Sequence, residues 1–332
     1  MLLIIKVVGG KMTLLELKNL TTYYKILRGY VKAVENVSFS LEKGEKLGLA
    51  GESGCGKTTI ALSILRILPP GGQIVGGQIL YEGIDLTKLD DSTMREQIRW
   101  KEISIIFQGA MNALNPVYTI EDQIVEAIQT HEPEVTKNEA KERARKLFEL
   151  VGIEPSRVVN YPHEFSGGMR QRAMIAMALA CNPKLLIADE PGTALDVIVQ
   201  AQILKLLKKL SEQLGLAMIM ITHDLSLISE TCEKAAIMYA GRLVENADVY
   251  KIFKEPLHPY TQGLIGAFPD IKAPKQRMVS IPGLPPDLLD PPPGCRFHPR
   301  CKYAMPICRK KDPELVEVEK GHFVACHLVH PA

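Results

Sequence analysis

Residues Gly51 to Thr59 read GESGCGKTT, a complete G-x-x-x-x-G-K-[ST] pattern between an apolar run, Leu47 to Ala50, and a periodic stretch, Ile60 to Leu68. Strand, glycine loop and helix in that order make a phosphate cradle. Glycines let backbone N–H groups wrap an anion, and the helix start adds partial positive charge. The pattern predicts that Gly51, Ser53, Gly54, Cys55, Gly56, Lys57, Thr58 and Thr59 hold a nucleoside triphosphate. Lys57 is expected to reach the β- and γ-phosphates, and the Thr58 hydroxyl to ligate Mg²⁺. Cys55 reads as a small side chain tolerated in the loop, at a position that would make it a target for thiol reagents.

Two further segments carry matching chemistry. Lys184 to Ala188 is apolar and runs into Asp189 and Glu190, giving KLLIADEP. A buried parallel strand ending in two acids suits a phosphate-loop ATPase: the first carboxylate holds Mg²⁺, commonly through water, and the second polarises an attacking water. Phe165 to Arg172 reads FSGGMRQR and opens an apolar helical stretch, Ala173 to Ala180. Ser166, Gly167 and Gly168 thus set a hydroxyl and N–H groups at a second helix start. One triphosphate cannot easily occupy both anion sites on one chain.

The elements that must position these groups belong to an ordinary globular chain. It has 332 residues, 46% of them hydrophobic and 23% charged, enough for two or three domains with sizeable cores. A net charge of +2 gives no reason to expect a nucleic-acid partner. The most apolar start, Met1 to Val8, is far shorter than the ~20 residues a bilayer needs and lacks a secretory cleavage site. Met12 opens a second plausible start, so residues 1–11 are read as an extension. Lys137 to Leu150, closed by Gly152, reads as a charged helix, and Ala217 to Ile221 as a strand that delivers His223 at its carboxyl end, where ligands bind parallel sheets. No second phosphate loop occurs.

The composition shifts after Phe268. Six prolines between Pro282 and Pro293 favour an extended, stiff path. Cys295, Cys301, Cys308 and Cys326 then give C-x5-C-x6-C-x17-C, four of the seven cysteines in about a tenth of the chain. Disulfides are disfavoured for an ATP-dependent enzyme of the cytosol. Four thiolates suit a structural zinc or an iron–sulfur cluster, and the spacing matches neither the common zinc ribbons nor the ferredoxin patterns. His298, His322, His327 and His330 are candidate substitutes for one ligand. Cys181 and Cys232 read as packed thiols.

From about Leu14 to Phe268 the chain resembles the ABC-type ATPases, with FSGGM in place of the commoner LSGGQ and the motifs in the family's order. The resemblance implies an α/β P-loop fold: a RecA-like core, an antiparallel β subdomain and a helical subdomain at about 109–180 within a domain at 12–268. It makes Gln108 the Q-loop glutamine and a contact to Mg²⁺, Glu190 the residue that orients water, and His223 the switch histidine. Ala194 to Asp196 becomes the D-loop, and Tyr24 the aromatic that stacks on adenine, with Tyr30 in reserve. Gly109 and Gly192 depart from the usual residues beside contact loops. ATP is implied to lie between the glycine loop of one copy and Ser166-Gly167-Gly168 of another, paired head to tail.

The run GCRFHPRCKYAMPICRKKDPEL…GHFVACH after PGLPPDLL, with HEFSGGMRQRAMIAMALA and LHPYTQGL, resembles the oligopeptide and dipeptide importer ATPases. In some of these, such cysteines carry a [4Fe-4S] cluster, which implies a linker at 269–294 and a cluster-binding module at 295–332, zinc being the alternative. The implied assembly has two transmembrane permease subunits, a second related ATPase subunit or a second copy of this chain, and an external peptide-binding protein reached indirectly. The implied location is peripheral, on the cytoplasmic face of the plasma membrane. Nickel or other solute importers and non-transport ABC ATPases are the alternatives. The C-terminal module reads as a metal staple for a small core, or else as a redox or metal sensor.

Overall fold

The computed structural model describes residues 13–109, 113–267 and 281–330. The proposed extension at 1–11, the Phe268 boundary and the first part of the proposed linker lie outside them. The described chain runs β1 (Thr13–Ile26), β2 (Gly29–Glu42), β3 (Lys46–Ala50), α1 (Lys57–Leu65), β4 (Gly72–Tyr81), β5 (Ile84–Asp85), α2 (Asp91–Thr93), β6 (Ile103–Ile106), α3 (Ile120–His131) and α4 (Lys137–Leu150). It continues through α5 (Gly167–Ala178), β7 (Leu185–Asp189), α6 (Val197–Leu214), β8 (Ala217–Thr222), α7 (Leu225–Thr231), β9 (Lys234–Tyr239), β10 (Arg242–Asp248), α8 (Val249–Lys254), α9 (Pro259–Gly266), β11 (Val316–Glu319) and β12 (His322–Val324). These elements divide into two compact units.

One unit holds Glu42–Glu45 and Lys88–Ile221. Its strands β6, β7 and β8 are parallel, with Ile103 paired to Leu185 and Leu185 to Ala217. Every residue of β7 and β8 is buried, as a strand covered on both faces requires. Helices α3, α4 and α5 pack together in the same unit. Thr136 starts α4 with a capping box: its hydroxyl accepts from the Glu139 amide and the Glu139 carboxylate accepts from the Thr136 amide. Such a cap contributes about 1 kcal/mol. Ala140, Ala144, Leu147 and Phe148 make the buried stripe of α4, and its charges face outward.

The other unit holds 13–41, 46–87 and 222–330. An antiparallel sheet runs in the order β2-β1-β4-β5. A second set of strands starts with β3 parallel to β9 and continues antiparallel through β10 and β12 to β11. The cysteine-rich segment therefore adds strands beside β10. Glu245 of β10, fully buried, accepts hydrogen bonds from the Leu257 and His258 amides at 2.8 and 3.0 Å. Its carboxylate also lies 2.8 Å from His322 Nε2 of β12. Between Pro282 and Pro293 there is no helix or strand.

Candidate active site

The phosphate loop belongs to the second unit and is shaped by glycines. Gly51 (φ 149°) and Gly56 (φ 103°) hold backbone angles that side chains rarely adopt. A Cβ at either would meet a carbonyl oxygen at 2.2 Å, that of Met238 or of Ala33. Gly56 is the N-cap of α1, no side chain caps the helix, and no acid stands in its first turn. The first amides of α1 are thereby left to an outside anion. Lys57 is buried and folded onto the loop, its ammonium donating to the carbonyls of Gly51 at 2.7 Å and Glu52 at 3.0 Å.

Ser53, Gly54 and Thr58 are exposed along this loop, and Thr59 is buried. Tyr24, half-buried on β1, brings its hydroxyl within 3.3 Å of Thr59 Oγ1, whereas Tyr30 stands exposed. The expectation for Cys55 needs correcting. Its side chain is buried, and burial pushes the thiol pKa up in spite of the Lys57 charge beside it, so it is protected from thiol reagents. His223 is exposed just after β8, and the following Asp224 caps α7 by accepting from the Ser226 amide at 2.8 Å.

The other candidates fall in the first unit. Asp189 ends β7 and is 1% exposed. Glu190 follows with φ 46°, and its Oε2 accepts from Gln108 Nε2 at 2.9 Å and from Thr193 Oγ1 at 3.0 Å. The residue after Gln108 is a glycine because the backbone there has φ 70°. Ser166 is the N-cap of α5, accepting from the Met169 amide at 3.4 Å. Gly168 gives the close approach to α6, since a Cβ would stand 2.7 Å from Val199. Asp196 caps α6 through the Val199 amide at 2.9 Å. Gly192 is filled from outside by Gln200, whose Cγ would meet a Cβ at 2.4 Å.

A groove of about 790 Å³ in the first unit is lined by Trp100, Ala113, Tyr118, Gln123, Ala127 and His131 among others. Trp100 and His131 stack across it at 5.8 Å, and burial lowers the His131 pKa. The lining comes from separate segments of the chain, which is why no motif marks it.

Other contacts left no signal in the motifs. Arg300 grips the Glu52 carboxylate with two hydrogen bonds, at 2.7 and 2.9 Å, and Tyr260 Oη accepts from the Glu52 amide at 2.9 Å. Arg296 pairs with Glu35 and donates to the Lys32 carbonyl at 3.4 Å. The one available hint was their position: each arginine adjoins a cysteine of the C-terminal cluster.

Cys295, Cys301, Cys308 and Cys326 all line one cavity, closed by Pro259, Phe297, Tyr303 and Leu328. Burial pushes the Cys295 thiol up to about 12 and raises Cys301 and Cys326. Among the described residues no group of three or more His, Cys, Asp or Glu side chains is placed to hold a metal ion. The four thiols share one cavity.

Comparison with known proteins agrees with this geometry. The ABC transporter family model matches residues 34–193, and that of the oligopeptide/dipeptide transporter C-terminal region matches 244–308. The chain is 49% identical to a probable peptide ABC transporter ATP-binding protein of Sinorhizobium fredii, covering 94% of each. It is 47% identical to the oligopeptide transport ATP-binding protein OppD of Bacillus subtilis, over 96% of this chain and 89% of OppD. For the dipeptide transport ATP-binding protein DppD of Caldanaerobacter subterraneus the identity is 40%, over 95% and 97%. A dimeric ATP-binding cassette in a post-hydrolysis state, bound to ADP and Pi, superposes with a TM-score of 0.62 at 29% identity, over 71% of this chain and 98% of that one. The chain belongs to the ABC ATPase family, among the ATP-binding subunits of peptide transporters.

Proposed function

We propose that the chain is the ATP-hydrolysing subunit that powers import of dipeptides or oligopeptides through partner membrane subunits. Two observations support the ATPase, each within its own unit: an uncapped α1 start with Lys57 folded onto the loop, and a Glu190 carboxylate held by Gln108 and Thr193. Lys57 exchanges its loop carbonyls for the β- and γ-phosphates. Mg²⁺ suits the hard oxygen donors of Thr58 and Asp189, with Gln108 as a further contact, and supplies charge neutralisation at the phosphates. Tyr24 stacks on the adenine. Glu190 holds the attacking water and takes its proton, and His223 and the D-loop Asp196 sense the γ-phosphate.

A second copy or a related subunit offers Ser166, Gly167 and Gly168 across the nucleotide, so that loss of the γ-phosphate lets the pair separate. The groove beside Trp100 and Tyr118 receives a helix of one permease subunit. Among the described residues no helix is long and apolar enough to cross a membrane; likeness to transport ATP-binding proteins is what supports a peripheral place on the cytoplasmic face. Glu190→Gln is expected to keep ATP binding and lose nearly all turnover; a steady-state rate close to wild type would refute the role of Glu190.

The C-terminal cysteines are assigned to a [4Fe-4S] cluster. A single zinc draws its thiolates to about 2.3 Å from one point, whereas a cluster spreads its ligands around a larger body. What supports the assignment is that all four cysteines line a common cavity. When bound, the cluster supplies crosslinks between the four segments that carry the cysteines. Anaerobic analysis should find iron with matching labile sulfide, and zinc without sulfide would replace this assignment with a structural zinc site.

A further inference from the structure

Glu52, the second residue of the phosphate loop, has each of its polar groups engaged. Its amide donates to Tyr260 Oη at 2.9 Å, its carboxylate takes the fork of Arg300 at 2.7 and 2.9 Å, and its carbonyl accepts from Lys57 Nζ at 3.0 Å. Arg300 is itself fixed. Its Nε donates to the Pro282 carbonyl at 2.9 Å, its Nη1 reaches Tyr239 Oη at 3.3 Å, and its side chain is 6% exposed. Tyr260 is fully buried against Tyr239 and Phe297, at ring distances of 4.7 and 5.4 Å. Phe297 and Arg300 lie between Cys295 and Cys301, so the brace joins the cysteine-rich segment to Tyr239 of β9 and Tyr260 of α9.

A carboxylate at this position works against the loop's task. It belongs to the loop read as taking the triphosphate, five residues before the lysine needed for that triphosphate. We infer that Arg300 is a positioning residue of the phosphate loop: by neutralising and holding Glu52 it keeps the carboxylate away from Lys57 and leaves the ammonium for the nucleotide. The positive charge carries this task by cancelling that of the carboxylate, and the two-bond grip adds to its hold. The inference rests on the reading that this loop takes the phosphates of ATP.

The test uses the full chain, Mg·ATP and a fluorescent ATP analogue, with binding constants, the split between KM and kcat, and melting curves of the nucleotide-free protein. Arg300→Gln is expected to weaken nucleotide binding roughly tenfold, the size of a lost charge-assisted contact, and to raise KM more than it lowers kcat. Glu52→Gln alone should bind nearly as wild type, and Glu52→Gln combined with Arg300→Gln should regain most of the loss. A contact that merely stitches the fold predicts the reverse, with the double variant no better than Arg300→Gln. Arg300→Lys keeps the charge without the fork and should bind within a few fold of wild type, which preserves the test if Arg300→Gln fails to fold. Wild-type affinity in Arg300→Gln, absence of rescue, or a folded Arg300→Lys as weak as Arg300→Gln would each overturn the inference while the ATP reading stands. Wild-type chain that binds no nucleotide would overturn both.

Discussion

The two helix starts offered to phosphate, those of α1 and α5, are built by opposite strategies. The α1 start has no side-chain cap, two glycines at angles and clearances only glycine tolerates, and a loop held by residues more than 200 positions away. The α5 start is local: Ser166 caps it through the Met169 amide at 3.4 Å, and Ser166 itself is exposed. On the proposed function, the first start binds nucleotide within its own chain, and the second is an open face that completes the nucleotide site of another copy or of a related subunit.

The largest effect that could break this contrast is at Lys57. Lys57→Ala should reduce nucleotide affinity of the isolated chain by on the order of a hundredfold, as expected for a charge facing phosphates; unchanged binding in a fluorescence titration would remove α1 as the receptor. At α5 the expected effect is conditional. Ser166→Ala should cost about 1 kcal/mol of helix capping and leave nucleotide binding by the isolated chain intact. It should lower ATP-dependent dimerisation, measured by light scattering with Glu190→Gln present to hold ATP. A loss of monomer binding instead would show that the two starts act on one chain.

A smaller effect sharpens the contrast on the braced side. His258 caps α9, its Nδ1 accepting from the Tyr260 amide at 3.0 Å, and burial lowers its pKa from 6.5 to about 3. Between those values the unfolded chain binds a proton that the folded chain refuses. Stability is therefore complete above pH 6.5 and falls as the pH drops toward 3, by at most about 1.4 kcal/mol per pH unit. His258→Asn keeps a capping group and removes this titration, so its melting temperature should fall less between pH 7 and pH 5 than that of wild type. Parallel slopes would show that other groups dominate the acid loss.

What the sequence disclosed was local. The α4 helix spans Lys137–Leu150 as its charge pattern predicts, and the phosphate loop sits between β3 and α1 as its motif requires. The periodic stretch after the loop suggested a helix to Leu68, yet α1 stops at Leu65, because Arg66 turns into the left-handed region at φ 52° ahead of Pro69 and Pro70. The α5 helix likewise ends at Ala178 rather than Ala180. Long-range choices left no such trace. Nothing near Glu52 announces Arg300, and the short alternating VEVE of β11 gives no hint that β12 pairs beside β10.

That last pairing bears on how the chain avoids its own kind of misassembly. A strand with unpaired amides and carbonyls is a template for any other extended chain. Here β12 covers β10, and the outermost strand becomes β11, which carries Glu317 and Glu319 and leads to Lys320. The C-terminal segment thus ends the sheet on a short, charged border. A chain shortened before Cys295 would leave β10 bare, with Leu243, Val244 and Ala247 along it, and would be prone to aggregate through that edge even with its phosphate loop complete.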